Sequence, residues 1–396
     1  FKAASRLTLI MGFYFRSLFV VNFFISLGFA MVDPFFPIYV KDMGSTGLHF
    51  AAIFSVFTIA KMVLSPWIGF CSDRVGRRSF IAIGLGLYVC VALLYLCPPS
   101  VTLLIVARFL QGVAAAFFRT VIMAVVGDQS PKESEGTSIA TFDISFYSAL
   151  GIGPVVGAIV RTHFGMPGIF KVLAAITFVS LLVVPFLVPD GQRHIGQFQR
   201  SRLDRSALIK NRLLIGLLGF IFTRAVGISL FTIFLPLFME TYLGFGGLQI
   251  GIIMASGTVL MMVFLRPMGL LADHRSRRTL VLIGGLIAAV LTFCLPFATG
   301  LWSLLSMSVV LGLGSVISLP ASAAMVMAEG DHFGMGLVFG LFNTTMNLGF
   351  AAAPFLGNLI MDTKGLPVVF YVAGFIGIAG LIIFYVCSNT RGVSSS

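Results

Sequence analysis

The chain has 396 residues, 58% hydrophobic and only 10% charged, with net charge +12 and a mean hydropathy of +1.04. A soluble domain of this length carries roughly a quarter charged residues, which excludes one here. Apolar runs of about 20 residues or more exclude a β-barrel, whose strands are short and alternate. The basic residues collect in a few short loops, as cytoplasmic loops do, rather than in a nucleic-acid-binding face.

Twelve membrane spans are predicted in chain order, at 15–40, 48–70, 79–97, 101–127, 135–161 and 168–189, then 213–240, 247–272, 278–298, 301–328, 335–361 and 366–388. The fold class is therefore all-α, two six-helix bundles, with domains at 1–189 and 213–396 and a polar linker at 190–212 holding Arg193, Arg200, Arg202, Arg205, Lys210 and Arg212. The first long run is too long for a cleavable signal peptide, and a start at Phe1 rather than Met suggests trimming. Arg16, Arg74, Arg77, Arg78, the linker, Arg275, Arg277 and Arg278 all fall on one side, which places both termini in the cytoplasm. The five cysteines lack CxxC spacing and read as small buried residues, neither a disulfide framework nor a metal site.

The stretch Gly69-Phe70-Cys71-Ser72-Asp73-Arg74-Val75-Gly76-Arg77-Arg78 returns 200 residues later as Gly269 to Arg278. At the same offset Gly112 meets Gly312, Gly136 meets Gly336, Phe142 meets Phe342, Pro154 meets Pro354 and Gly157 meets Gly357. The chain is thus two related halves of parallel topology, the pattern of transporters built from repeats.

Spans, repeat and turn together resemble the major facilitator superfamily over essentially the whole chain. The first turn is similar to its motif A, complete here; the second copy departs at His274 and Ser276. Leu104, Arg108, Gln111 and Gly112 resemble motif B. Gly153-Pro154-Val155-Val156-Gly157-Ala158 resembles motif C of the drug:proton antiporter branch, although Ala149 and Ala158 stand where glycines are usual. The resemblance implies alternating access and proton-coupled export of a small organic compound, with uptake symport or uniport as the alternative. It implies a bacterial inner-membrane protein, monomeric, whose partners are substrate, protons and lipid.

A conformational gate is expected at Gly69, Asp73, Arg77, Asp273, Arg277, Gly153, Pro154 and Gly157. In the resembling fold Asp73 faces the positive N-terminal end of span eleven near Gly334-Met335-Gly336, and Asp273 that of span five near Gly136. Gly153 and Gly157 permit close helix contact, read as packing of spans five and eight.

Ionisable groups inside spans cost at least ~2.5–3.5 kcal/mol on insertion scales and so are functional candidates. Asp33 and Arg108 lie at equal depth and are expected to pair; with Asp143 they form the proton-coupling set. Lys61, Arg119 and Arg224, with Phe118 and Asn343, form the substrate-binding set. The repeat partners of Arg119, Lys61, Arg224 and Asp143 are Leu319, Met261, Phe24 and Asn343, so the scaffold alone does not require these charges. Three cations against the Asp143 carboxylate favour a substrate with negative charge, since guanidinium suits carboxylate or phosphate capture. Phe117, Phe220 and Phe231 can add an apolar lining. No H-E-x-x-H pair and no Walker A loop occurs, so neither a metal nor a cofactor nor an enzymatic reaction is expected.

Overall fold

The structure, a computed structural model, describes residues 2–97, 100–129, 135–187 and 211–389. The linker positions 190–210 fall outside the described residues. In order the helices are α1 (Lys2–Val32), α2 (Phe36–Asp42), α3 (Gly47–Val75), α4 (Arg77–Leu96), α5 (Val101–Ala115), α6 (Val121–Gln129) and α7 (Glu135–Leu187). They continue with α8 (Arg212–Leu243), α9 (Gly247–His274), α10 (Arg277–Cys294), α11 (Leu301–Phe333), α12 (Met335–Lys364) and α13 (Leu366–Ser388).

Among the described residues, ten stretches are long and apolar enough to cross a membrane. One of them, Thr141–Val184, holds two spans, because Gly165 adopts φ 66, ψ −171 in the middle of α7 and turns the chain back. The long helix α12 falls outside the ten; Asn343, Asn347 and Asn358 dilute its apolar character. With these two adjustments the helices supply the twelve spans that the sequence predicts. α5 and α6 form one span, joined through a π-helical turn at Ala116–Thr120.

The chain divides into two units, Phe1–Ser45 with Val56–Gln197, and Thr46–Ser55 with Phe198–Ser396. The first turns of α3 thus group with the second half, where the Ser55 hydroxyl donates to the Ala351 carbonyl at 2.7 Å and Phe50 meets the Phe234 ring at 6.0 Å. In the first unit α1 and α4 pack along α7, and the core gathers Leu18, Val21, Ile25, Leu85, Phe118, Ile122 and Phe142. In the second, α8 packs on α12 and α13 around Leu217, Phe220, Val281, Ala321 and Phe384.

The offset of 200 reappears in backbone geometry. Gly165 and Gly365 both have positive φ (66 and 90), a region that only glycine enters without steric cost, and each stands two residues before a proline. Gly84 abuts the Phe118 amide nitrogen and Ala114 carbonyl, while Gly284 abuts the Ser318 amide nitrogen and Gly314 carbonyl. Related helix crossings are therefore made by related residues. The motif-A turn differs between copies for a physical reason: Gly76 has φ 125, whereas Ser276 has φ −58 and caps α10 by accepting from the Thr279 amide.

The packing bears on three expectations and corrects the last. A Cβ on Gly153 would meet Ala30, and one on Gly157 would lie 2.4 Å from the Met31 carbonyl oxygen, so these glycines seat span five on span one, a contact the sequence does not announce. A Cβ on Gly69 would find Thr120 Cγ2 at 3.6 Å, an ordinary contact, among the described residues. Cys71, Cys90 and Cys97 are exposed rather than buried, because they point outward from the helices instead of into the core.

Gly157→Ala should lower the thermal stability of the detergent-purified protein by about 1–3 kcal/mol, the usual cost of overpacking. Gly86→Ala, with no atom within 4 Å of the added Cβ, should leave it unchanged or raise it. Equal effects in the two variants would contradict this packing.

Candidate functional site

The first unit assembles its polar groups inside the apolar helices. The π-helical turn Ala116–Thr120 carries Arg119; such turns alter the local hydrogen-bond register and recur at functional sites. In the second unit α11 runs through the equivalent position as a continuous α-helix, with Leu319 in place of Arg119. The π turn and the charge thus occur together.

Arg119 Nη2 donates to Asp143 Oδ1 at 2.5 Å, while Nη1 donates to Asn22 Oδ1 at 3.4 Å. Its guanidinium lies over the Phe146 ring, 4.8 Å from the centroid. The Arg119 and Asp143 side chains retain 26% and 28% exposure, so the pair is neither sealed in the core nor free in solvent. Lys61 on α3 lies within electrostatic reach of Arg119. The sequence places Arg119, Asp143 and Lys61 at similar depth; the structure joins Arg119 to Asp143, with Lys61 within electrostatic reach of the arginine. Asn22 and Ser145 escaped it: amide and hydroxyl carry no charge, and neither signals a site by composition.

A second pair sits at the other end of the same unit. Arg108 is buried, its Nη1 4.0 Å from Asp33 Oδ1 and 3.1 Å from Gln111 Oε1. The guanidinium stacks 3.7 Å over the Phe36 ring, and Tyr95 donates to Gln111 at 2.9 Å. The Asp33 side chain is 59% exposed, so the cation is held by packing while the acid remains reachable. Among the residues resembling motif B, Gln111 thus orients the arginine.

The second unit is plainer. Arg224 Nη2 donates to the Ser315 carbonyl at 3.4 Å, and the Asn343 amide donates to the Phe339 carbonyl one turn back on its own helix. Two of the expected aromatic lining residues are misplaced by the sequence reading. Phe118 is 2% exposed, packed in the first core edge-on to Tyr88, and Phe220 is buried against Phe384. Both lie on helix faces that the neighbouring helices fill, which helical spacing alone does not separate from a lining face.

At the motif-A turn Arg77 pairs with Asp128 at the end of α6, 2.5 Å apart. Arg277 instead donates to the Ala272 and Ala324 carbonyls, because Ala328 stands in the place of Asp128. Nearby, the buried Glu329 accepts from Asn211 at 2.6 Å beside a groove of about 420 Å³. That groove belongs to the turn and not to Arg224. The side chains of Asp73 and Asp273 lie outside what the structure describes, as do the surroundings of Gly136, Met335 and Gly336, where their expected contacts fall.

Helices that span a membrane, two repeated units and ion pairs within the spans define a multi-pass membrane transporter. The Major Facilitator Superfamily profile matches residues 18–261 and 217–394, and the chain belongs to that family. It is 25% identical to an uncharacterised MFS-type transporter of Methanocaldococcus jannaschii over 95% of this chain and 99% of the relative. It is 23% identical to the quinolone resistance protein NorA of Staphylococcus aureus, covering 93% of this chain and 95% of NorA. The crystal structure of the human organic anion transporter MFSD10 superposes with a TM-score of 0.65 at 15% identity, covering 94% of this chain and 99% of that one. That likeness establishes the same fold.

Removing either partner of the Arg119–Asp143 pair should cost about 1–3 kcal/mol of stability, less than the range for fully buried pairs because both are partly exposed. The double variant Arg119→Leu/Asp143→Leu should be more stable than Arg119→Leu alone, read as thermal midpoints in detergent. Additive losses would mean that the two groups do not interact.

Proposed function

We propose that this protein exports a small anionic or amphipathic organic compound by alternating access, coupled to protons. The observation that carries the reading is the Arg119–Asp143 pair with Lys61 within electrostatic reach, an ionisable cluster with excess positive charge in membrane-spanning helices. A relative named for quinolone resistance and the residues resembling motif C support export. In this reading the protein performs no enzymatic reaction. It sits in the bacterial inner membrane as a monomer with both termini in the cytoplasm, and its bundles are 1–189 and 213–396 joined by the 190–212 linker. Arg224 and Asn343 contribute from the second bundle. The gate consists of Gly69, Asp73, Arg77, Asp273 and Arg277 at the turns and Gly153, Pro154 and Gly157 in span five.

Coupling follows from competition. A compound with a cationic group competes with the proton for Asp143, so the two are carried alternately. An anion competes with Asp143 for Arg119, and the carboxylate it displaces takes up a proton, so the two travel together. Export of an anion then requires the returning proton to sit apart from it, on Asp33. The same ion pair favours a second reading, uptake symport of an organic anion.

Proteoliposome flux distinguishes the two. With an imposed pH gradient, export by exchange drives substrate toward the more acidic compartment, against its own gradient, and symport drives it toward the more alkaline one. Asp143→Asn and Asp33→Asn should abolish proton-driven accumulation while leaving folded protein. Flux indifferent to the gradient would rule out the proton-coupled reading, and coupling unchanged in both variants would remove Asp33 and Asp143 as its carriers.

A further inference from the structure

We propose that Asn22 and Ser145 form a second seat for the Arg119 guanidinium, which holds it at the site when Asp143 lets it go, so that Asn22 is a positioning residue for anion capture. The proposal rests on reading Arg119 as the substrate contact.

The orientation of the amide is fixed by its surroundings. The Ser145 hydroxyl donates its one proton to the Phe142 carbonyl at 2.7 Å, so toward Asn22 it can only accept. Asn22 Nδ2 donates to it at 2.7 Å, which turns Oδ1 toward Arg119. Asn22 is 1% exposed and Ser145 is fully buried, so the amide has little freedom to leave this arrangement. The two seats engage different nitrogens: Nη2 takes the carboxylate and Nη1 the amide. When a proton or a substrate group separates Asp143 from the guanidinium, Nη1 still faces Asn22 and the flat face still covers Phe146. The cation therefore remains where it was, with Nη2 released toward an arriving oxygen anion. At 3.4 Å the amide contact is longer than the usual 2.9–3.0 Å, as expected of the weaker seat while Asp143 occupies the stronger one.

Other charged or titratable groups act on this guanidinium. Lys61 does so from α3 and the Tyr88 hydroxyl from α4, while Asp128 on α6 is paired with Arg77. Lys61 repels Arg119, so in its presence an uncharged acceptor is needed to keep the two cations together once the carboxylate is withdrawn. In the second repeat Phe222, Leu319, Asn343 and Thr345 stand in the places of Asn22, Arg119, Asp143 and Ser145. The seat and the cation are thus missing together, and a role confined to joining α1 to α7 would not require that.

The test needs no knowledge of the substrate. Asp143→Cys is made in a full-length chain whose native cysteines are replaced, and its reaction rates with sulfonatoethyl and trimethylammonioethyl methanethiosulfonate are compared. With Asn22 intact, Arg119 stays beside the thiol and the anionic reagent reacts about tenfold faster relative to the cationic one, the combined effect on the two reagents of a unit charge about 6 Å away screened as in bulk water. Adding Asn22→Leu, which keeps the volume and removes the acceptor, should bring the ratio down to that of an Arg119→Leu background. Ser145→Ala, a milder change, should lower it part of the way. An unchanged ratio in both variants overturns the second seat, as does a thiol that neither reagent reaches. Flux indifferent to a pH gradient would instead remove the coupling and leave this ratio untouched, so the two claims fail separately.

Discussion

A charged group inside a membrane-spanning helix must be compensated, and in this protein that constraint converges on one guanidinium. Arg119 is satisfied by a carboxylate, an amide and an aromatic face from α7 and α1, the two helices that pack most extensively against each other. Those groups hold their places because α1 and α7 are locked together by glycines. Gly153 and Gly157 admit Ala30 and Met31 so closely that a methyl group at either position would overlap the backbone. The residues resembling motif C thus position span one against span five, and through them Asn22 against Ser145 and Asp143.

The two halves share a scaffold and divide the chemistry. Crossings made by Gly84 and Gly284, and turns made by Gly165 and Gly365, are preserved across the repeat. The deep ion pair, the amide seat and the π-helical turn all belong to the first half. The second offers Arg224 on a backbone carbonyl and Asn343 on its own helix. At the turns Arg77 pairs with the Asp128 carboxylate, and Arg277 donates to the Ala272 and Ala324 carbonyls. Symmetric helices provide the framework, and asymmetric substitutions place the charges on it.

Much of this was legible in the residues. Apolar runs of spanning length, the constant offset and the unmatched charges led to the twelve spans, the repeat and the pairing of Asp33 with Arg108 and of Arg119 with Asp143. What escaped has physical reasons. Asn22 and Ser145 carry no charge and follow no period, so their partnership with Arg119 exists only in three dimensions. The π turn leaves no mark on composition. Phe118 and Phe220 illustrate the opposite error: an aromatic residue near a charge can as readily fill the core, and only the neighbouring helices decide.

The central claim is that Arg119 is shared between Asp143 and the transported compound. It is tested most directly by measuring the affinity of purified protein in detergent for an aromatic carboxylate such as 1-naphthoate. If the anion and Asp143 compete for Arg119, Asp143→Asn should tighten binding and Arg119→Leu should abolish it. Binding weakened by Asp143→Asn, or unchanged by Arg119→Leu, would contradict the claim.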